Sequence, residues 1–563
     1  MKPNSVDTIY YHGVIASVDK DFTLAQAMAV SGERICAIGS DREVLALRNE
    51  NTVCVDLRGA FVVPGLQDAH VHATDYIHNL SHVPCAECRD IPELQERLRR
   101  WAGEHPDLWI LGNGLSQQVM DEGLDRTRLD AAVKDRPVIL VMWHGHGCIA
   151  NSAALERSGI SADTPDPLGG VIERDASGIP TGVLQEASAL QLAYRGMPPY
   201  TAEEISEKLR RMQRFMNSRG YTAYTESTVG TANNGREGGA AGMACIRAYE
   251  RLLEEKQMTC RVSVGFYSGR DGIQSPEILR EDLAAGLVPK SADEDWLSFH
   301  MLKFFCDGVE VAHTAWLKED YADLPGCRGR SCFGSGEMTD EEQTAILRET
   351  LKVAHDAGYQ IGIHCIGDRA VHEAAEAIAA VQRENPRPDA RHCIIHGDTL
   401  ADREDLETCG KLGLVISSQP NLASDMYEKE SECVGPEKGR RMMALRTVLD
   451  LGITAAGGSD SIAGPYHDWR YGMRDAILRR SVFTGTQYGP EECITMEEAL
   501  RMYTMGGARQ EFAETKRGSL EPGKLADFTV LDRNLLEIPP EELPDVQVLR
   551  TVVGGKTVFL REE

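Results

Sequence analysis

His70-Val71-His72 is the first point in the chain where two side chains could act on one atom. Residues i and i+2 of a strand present the same face, so two imidazoles at that spacing can share a divalent ion. With 16 histidines in 563 residues, roughly half an HxH would arise by chance, so the motif gains weight from its position. It follows an apolar, strand-like run, and three further candidate ligands occupy equivalent places. His364 falls near the end of YQIGIHC, His396 ends HCIIH, and Asp460 follows ITAAGGS. Four histidines and a carboxylate at strand ends make up a zinc-type donor set. Lys303 in HMLKFFCDG joins them, because a lysine among apolar neighbours is costly to bury charged and burial lowers its pKa. A neutral amine can take up carbon dioxide and become an anionic carbamate able to bridge two ions. The competing role for Lys303 is an ion pair with Asp307 or a rim carboxylate. A second pair, His144-Gly145-His146, lacks partners in the same register. It is assigned to lid or substrate contact, with His146 the functional candidate and a structural histidine the alternative.

Such groups need a scaffold that brings strand ends together. Candidate strands run through FVVPGLQ (61–67), YTAYTE (221–226), RVSVGFY (261–267), HMLKFFC (300–306), YQIGIHC (359–365), HCIIH (392–396), GLVISSQ (413–419) and ITAAGGS (453–459). Amphipathic helices such as EEISEKLRRMQRFMNS separate many of them, which predicts an α/β fold, a (β/α)8 TIM barrel with its site at the carboxyl ends of the strands. Capping boxes mark three helix starts, at Thr201 with Glu204, Thr339 with Glu342 and Thr495 with Glu498. The first sixty residues and the last fifty share a different texture of short strands and turns, including VLRTVVGGKTVFL around Gly554-Gly555. They predict a small composite β-sandwich of residues 1–62 and 512–563, leaving 63–84 and 200–511 to the barrel. Residues 85–199 are too many for a βα loop and predict an α+β insertion after strand one, leaning over the barrel mouth.

The chain's bulk properties narrow the partners. Its formal net charge is −27 with no basic run to offset it, which argues against nucleic acid and anionic membrane and leaves a small-molecule substrate. Neither a leader-like N-terminus nor an apolar run of membrane-spanning length is present, so the expected location is cytoplasmic. The 15 cysteines then read as reduced thiols, Cys85 and Cys88 included. A homodimer is the base-rate expectation for assembly.

Several long segments in one order resemble the amidohydrolase superfamily, and within it the YtcJ-like, amidohydrolase-3 group that includes N-substituted formamide deformylases. They are GLQDAHVHATDY, GHGCIANSAAL, DPLGGVIERDASGIPTGVLQEA, KFFCDGVEVAHTAWL, HCIGDRAV, SSQPN, GGSDS and GSLEPGKLADFTVLD. The resemblance implies His70, His72 and Asp460 on one ion, His364 and His396 on a second, and carboxylated Lys303 bridging, with two zinc ions or another divalent metal per chain. Ile395-His396 departs from the usual Glu-His of the sixth-strand motif, and the proline common after GGSDS is missing. Neither change touches the ligand set. The activity implied is hydrolysis of an amide or N-substituted formamide by metal-activated water, with Asp460 as proton carrier. His146, Glu186, Asp368 and Gln419 are the substrate-binding candidates, with Gln185 beside them. A mononuclear deaminase or cyclic-amide hydrolase on the same barrel is the nearest alternative, and a catalytically silent binding protein the more distant one.

Overall fold

The computed structural model describes residues 6–562 apart from 75–81, 106–108, 144–146, 168–169, 186, 236–238, 271–272, 335–337, 425 and 462–466. Eight strands pair in chain order: Leu66–Val71, Tyr221–Val229, Arg261–Tyr267, Leu297–Phe305, Gln360–His364, Cys393–Ile395, Val415–Ser418 and Thr454–Gly457. Every pairing in this sheet is parallel. The last strand returns to the first: the Asp460 N–H donates to the His70 carbonyl at 2.8 Å, and the Ser459 N–H to the Asp68 carboxylate at 2.9 Å. Gly458 permits that approach, since a Cβ there would lie 2.7 Å from the His70 backbone nitrogen.

Alternation along the strands explains why the runs look continuously apolar. Leu302, Phe304, Ile361 and Ile363 face outward into the large core shared with the helices. Ala69, Met301, Cys393, Ile395, Val415 and Ala456 form a separate cluster inside the barrel. The helices Ala202–Ser218, Asp340–Asp356 and Met496–Arg501 start at the three capping boxes anticipated from sequence, and a fourth box, Ser40 with Glu43, begins Asp41–Leu45.

One boundary differs from the sequence expectation. FVVPGLQ is not a single barrel strand: Phe61–Pro64 pairs with Val14–Ala16 and Phe528–Leu531, and the barrel strand begins at Leu66. An apolar run carries no mark of where it changes sheets. The break falls at Gly65, where a Cβ would sit 2.0 Å from Thr222 Oγ1.

The chain ends build two small sheets. One holds four strands from the N-terminal segment; the other joins Val14–Ala16, Leu24–Ala25 and Phe61–Pro64 to Phe528–Leu531, Val548–Val553 and Lys556–Leu560. Tyr10, Met28, Val30, Val62, Phe528 and Val552 belong to one apolar cluster common to both sheets. The closing hairpin turns at Gly554 and Gly555, both in the left-handed region. Between the first two barrel strands lies a further six-stranded sheet, from Val83–Pro84 to Pro180–Gln185, with apolar clusters of its own. Its Trp143 lies under Lys429, a residue of the helix Tyr427–Val434, with 4.4 Å from Nζ to the ring centre. All 15 cysteines are free. No described helix is long and apolar enough to cross a membrane.

Candidate metal centre

His70 is the last residue but one of the strand Leu66–Val71 and faces the barrel axis, and His72 follows just beyond the strand end. Their Nε2 atoms each lie 3.1 Å from Asp460 Oδ1. Asp460 Oδ2 lies 3.6 Å from His396 Nε2, and the His396 ring is 4.7 Å from that of His364, centre to centre. One atom each from His70, His72 and Asp460 falls within 4.8 Å of the others. Local backbone makes this convergence possible. His396 would point opposite to Ile395 on a regular strand, but its φ of 63° breaks the strand and turns the ring inward. Asp460, at φ 50°, turns in the same way after the last strand.

The other ring nitrogens decide what the imidazoles can do. Ser227 Oγ lies 2.9 Å from His70 Nδ1, and Thr228 Oγ1 lies 2.7 Å from His72 Nδ1. In the tautomer whose Nδ1–H donates to these hydroxyls, both Nε2 lone pairs face Asp460 Oδ1, an arrangement of acceptors that a cation stabilises. Burial holds His70 down at about 3 and His396 at about 4, and pushes His364 well below the usual histidine range, so all three rings are neutral. Burial alone would raise Asp460; it is held well below the usual carboxylate range only by His70, His72 and His396 carrying protons toward it, a role that an ion takes over when the rings are neutral.

Lys303 occupies the inward face of the fourth barrel strand. Its side chain is buried and Nζ has no hydrogen-bond partner; it lies over the face of Phe305, 4.6 Å from the ring centre. Burial brings it down to about 8, against the pull of Asp460. The alternative of a Lys303–Asp307 ion pair is not what the structure contains. Asp307 instead accepts from the backbone N–H groups of Trp316, Ile366 and Gly367 at 2.8, 3.1 and 2.8 Å. Its Oδ1 is 3.9 Å from His364 Nε2, which also lies 3.3 Å from the Gly308 carbonyl.

The remaining candidates divide. Gln419 is fully buried beyond the seventh strand, donates to Ser417 Oγ at 2.9 Å and faces His396. Asp368 opens the helix Asp368–Glu384, and its carboxylate accepts from the Lys318 N–H at 2.8 Å and from Lys438 Nζ at 2.6 Å, which braces the rim. Gln185 pairs with Glu173 in the insertion sheet at 2.6 Å, exposed and engaged there. His146 and Glu186 lie outside the described residues. Ser227 and Thr228 were missed by sequence reasoning, because the second strand was ended at Glu226 whereas it continues to Val229. Two hydroxyl residues in the last turn of a strand neighbouring an HxH strand were the available signal.

The site and barrel accord with what the sequence matches. The chain belongs to the amidohydrolase family, which it matches over residues 53–559; it is a hydrolase acting on carbon–nitrogen bonds. It is 28% identical to the Bacillus subtilis (strain 168) protein YtcJ over 98% of this chain and 99% of that one. It is 29% identical to an N-substituted formamide deformylase of Arthrobacter pascens, over 98% and 97% of the two chains. Among solved structures, the fold is shared with a metal-dependent hydrolase of Pyrococcus horikoshii ot3, with a TM-score of 0.76 at 23% identity over 95% of this chain and 99% of that one.

Proposed function

We propose that the enzyme hydrolyses an N-substituted formamide or related small amide at a binuclear divalent centre, zinc-type and bridged by a carboxylated Lys303. The observation that carries this is Lys303 Nζ, buried without a hydrogen-bond partner at the mouth of a barrel whose rim presents four histidines and Asp460. The donors fit such ions: neutral imidazoles in the only form that binds metal, a carboxylate and a bare amine. His70, His72 and Asp460 would hold one ion, His364 and His396 the other. Lys303 Nζ would bond to the carbon of carbon dioxide, release one proton and present the resulting anionic oxygens to both. When bound, the ions supply Lewis acidity toward the substrate carbonyl and lower the proton affinity of the attacking water.

The protein's own part is positioning and proton transfer. Ser227 and Thr228 hold the His70 and His72 rings at Nδ1, and in the tautomer whose Nδ1–H donates to them each Nε2 is free for an ion. Asp460 has Oδ1 between those rings, leaving Oδ2 to take the proton of the attacking water and return it to the departing amine nitrogen. The formamide class is supported by the likeness to the Arthrobacter enzyme, which runs the length of both chains.

A mononuclear centre is the second reading, favoured by the tight grouping of His70, His72 and Asp460 without His364 or His396. Elemental analysis together with native intact mass separates the two. Two ions per chain and the added mass of one carbon dioxide, both reduced in Lys303→Met, are expected, with turnover of N-substituted formamides. One ion and an unmodified Lys303 would favour the mononuclear reading.

A further inference from the structure

We infer that the rim carries a second cation site, separate from the hydrolytic centre: a zinc-type ion held by His313 Nε2, an Asp323 carboxylate oxygen and Cys433 Sγ. Donor atoms of these three residues lie within 4.8 Å of one another, with His313 Nε2 2.9 Å from Asp323 Oδ1. They come from three separate stretches of chain. His313 caps the single turn Glu310–Ala312, Asp323 lies in the loop beyond it, and Cys433 is in the last turn of the helix Tyr427–Val434. A thiolate, an imidazole and a carboxylate together select a zinc-type ion over calcium or magnesium. A histidine–aspartate hydrogen bond would by itself account for the 2.9 Å separation. It does not account for the Cys433 thiol, which engages the same Asp323 carboxylate.

Independent support comes from directly behind the cluster. Glu430 precedes Cys433 by three residues on one helix, so it lies one turn away on the same face, and Glu310 opens the short turn that His313 caps. Both are buried, at 4% and 2% exposure, and the two carboxyls hydrogen-bond to each other. Each keeps an Oε2 with no hydrogen-bond partner, and neither forms an ion pair with Lys or Arg among the described residues. A hydrogen bond between two carboxyls needs one shared proton, which Glu430 keeps; the negative charge that remains on the pair is buried with no Lys or Arg paired to it among the described residues, and an ion on Cys433 and His313 offsets it. His313 and Asp323 are partly exposed, 29% and 37%, so the ion reaches the site from solvent and water completes its shell.

The ion's work would be structural. The loop after the Lys303 strand already meets this helix through the Ala322 N–H, which donates to the Cys433 carbonyl at 2.8 Å. A metal clip would fasten that wall of the rim; of the proposed hydrolytic ligands only Lys303 belongs to the strand that this loop follows.

Cobalt(II) titration of the metal-stripped full-length protein tests this, because only a thiolate ligand gives sulfur-to-cobalt charge-transfer absorption in the near ultraviolet. One equivalent of that absorption is expected in the wild type, displaced by zinc, retained in Asp460→Asn and in Cys327→Ser, and lost in Cys433→Ser. His313→Gln, partly exposed and therefore expected to fold, should weaken cobalt binding at this site by at least about tenfold and lower zinc content by one ion per chain. No thiolate band in the wild type, or one that survives Cys433→Ser, would overturn the assignment.

Discussion

Histidines are buried at two levels of this barrel, and the two groups behave in opposite ways. Below, His392 and His355 form a closed relay. The Ile361 N–H donates to His392 Nδ1 at 2.9 Å, His392 Nε2 lies 2.8 Å from His355 Nδ1, and His355 Nε2 lies 2.7 Å from the Asn385 carbonyl. Every ring nitrogen has one partner, each proton has one place, and nothing remains to bind a ligand. At the rim, one nitrogen of His70 and of His72 is fixed by a hydroxyl, while the other is turned on a shared carboxylate oxygen beside an amine without a partner. Burial alone therefore does not mark a functional histidine; the destination of its second nitrogen does.

The comparison breaks most visibly at Asp460. Asp460→Asn should lower kcat by about a hundred- to ten-thousand-fold while metal content stays at the wild-type level, measured by turnover and elemental analysis together. An unchanged rate would remove Asp460 from the proton path. Thr228→Val, which frees His72 Nδ1 without touching a ligand atom, should cost about ten- to a hundredfold in metal affinity or activity. Chelator competition reads that loss, and a variant with wild-type affinity would show that the hydroxyl does not set the tautomer.

At the lower level the same chemistry should affect folding alone. His392→Leu leaves the Ile361 N–H and a His355 ring nitrogen without partners, at a cost of about 1–3 kcal/mol in urea unfolding. Metal content should not change, and a loss of metal would abolish the distinction between the levels. The smallest effect lies in pH. Burial pushes His392 down to about 3 from 6.5, so between those values the unfolded chain binds a proton that the folded chain refuses. That contribution to stability is complete above pH 6.5 and is lost as pH falls toward 3. The pH slope of unfolding should flatten by up to about 1.4 kcal/mol per pH unit in His392→Leu; an unaltered slope would mean that His392 does not govern this range.

Much of this architecture was legible in the residues themselves. Apolar runs ending in His364 and His396, the HxH at His70 and three Thr-x-x-Glu boxes each record a local rule: side-chain period, strand end or cap. The strand order followed because sequential βα units close only one way. Sequence reasoning failed where an apolar run crossed from one sheet to another at Gly65, and where the second barrel strand ran on past Glu226 to Val229.

What the sequence determined by itself was the barrel, its order of strands and the list of groups able to bind metal. Tertiary structure alone decided which of those groups meet. Ser227 and Thr228 reach His70 and His72 across more than 150 positions of chain. Positive φ at His396 and Asp460 turns both side chains inward. His355 and His392 satisfy one another and leave the chemistry to the rim. Local pattern encodes period and capping because those depend on near neighbours, whereas a hydrogen bond or shared ligand position depends on where packing places residues far apart in the chain.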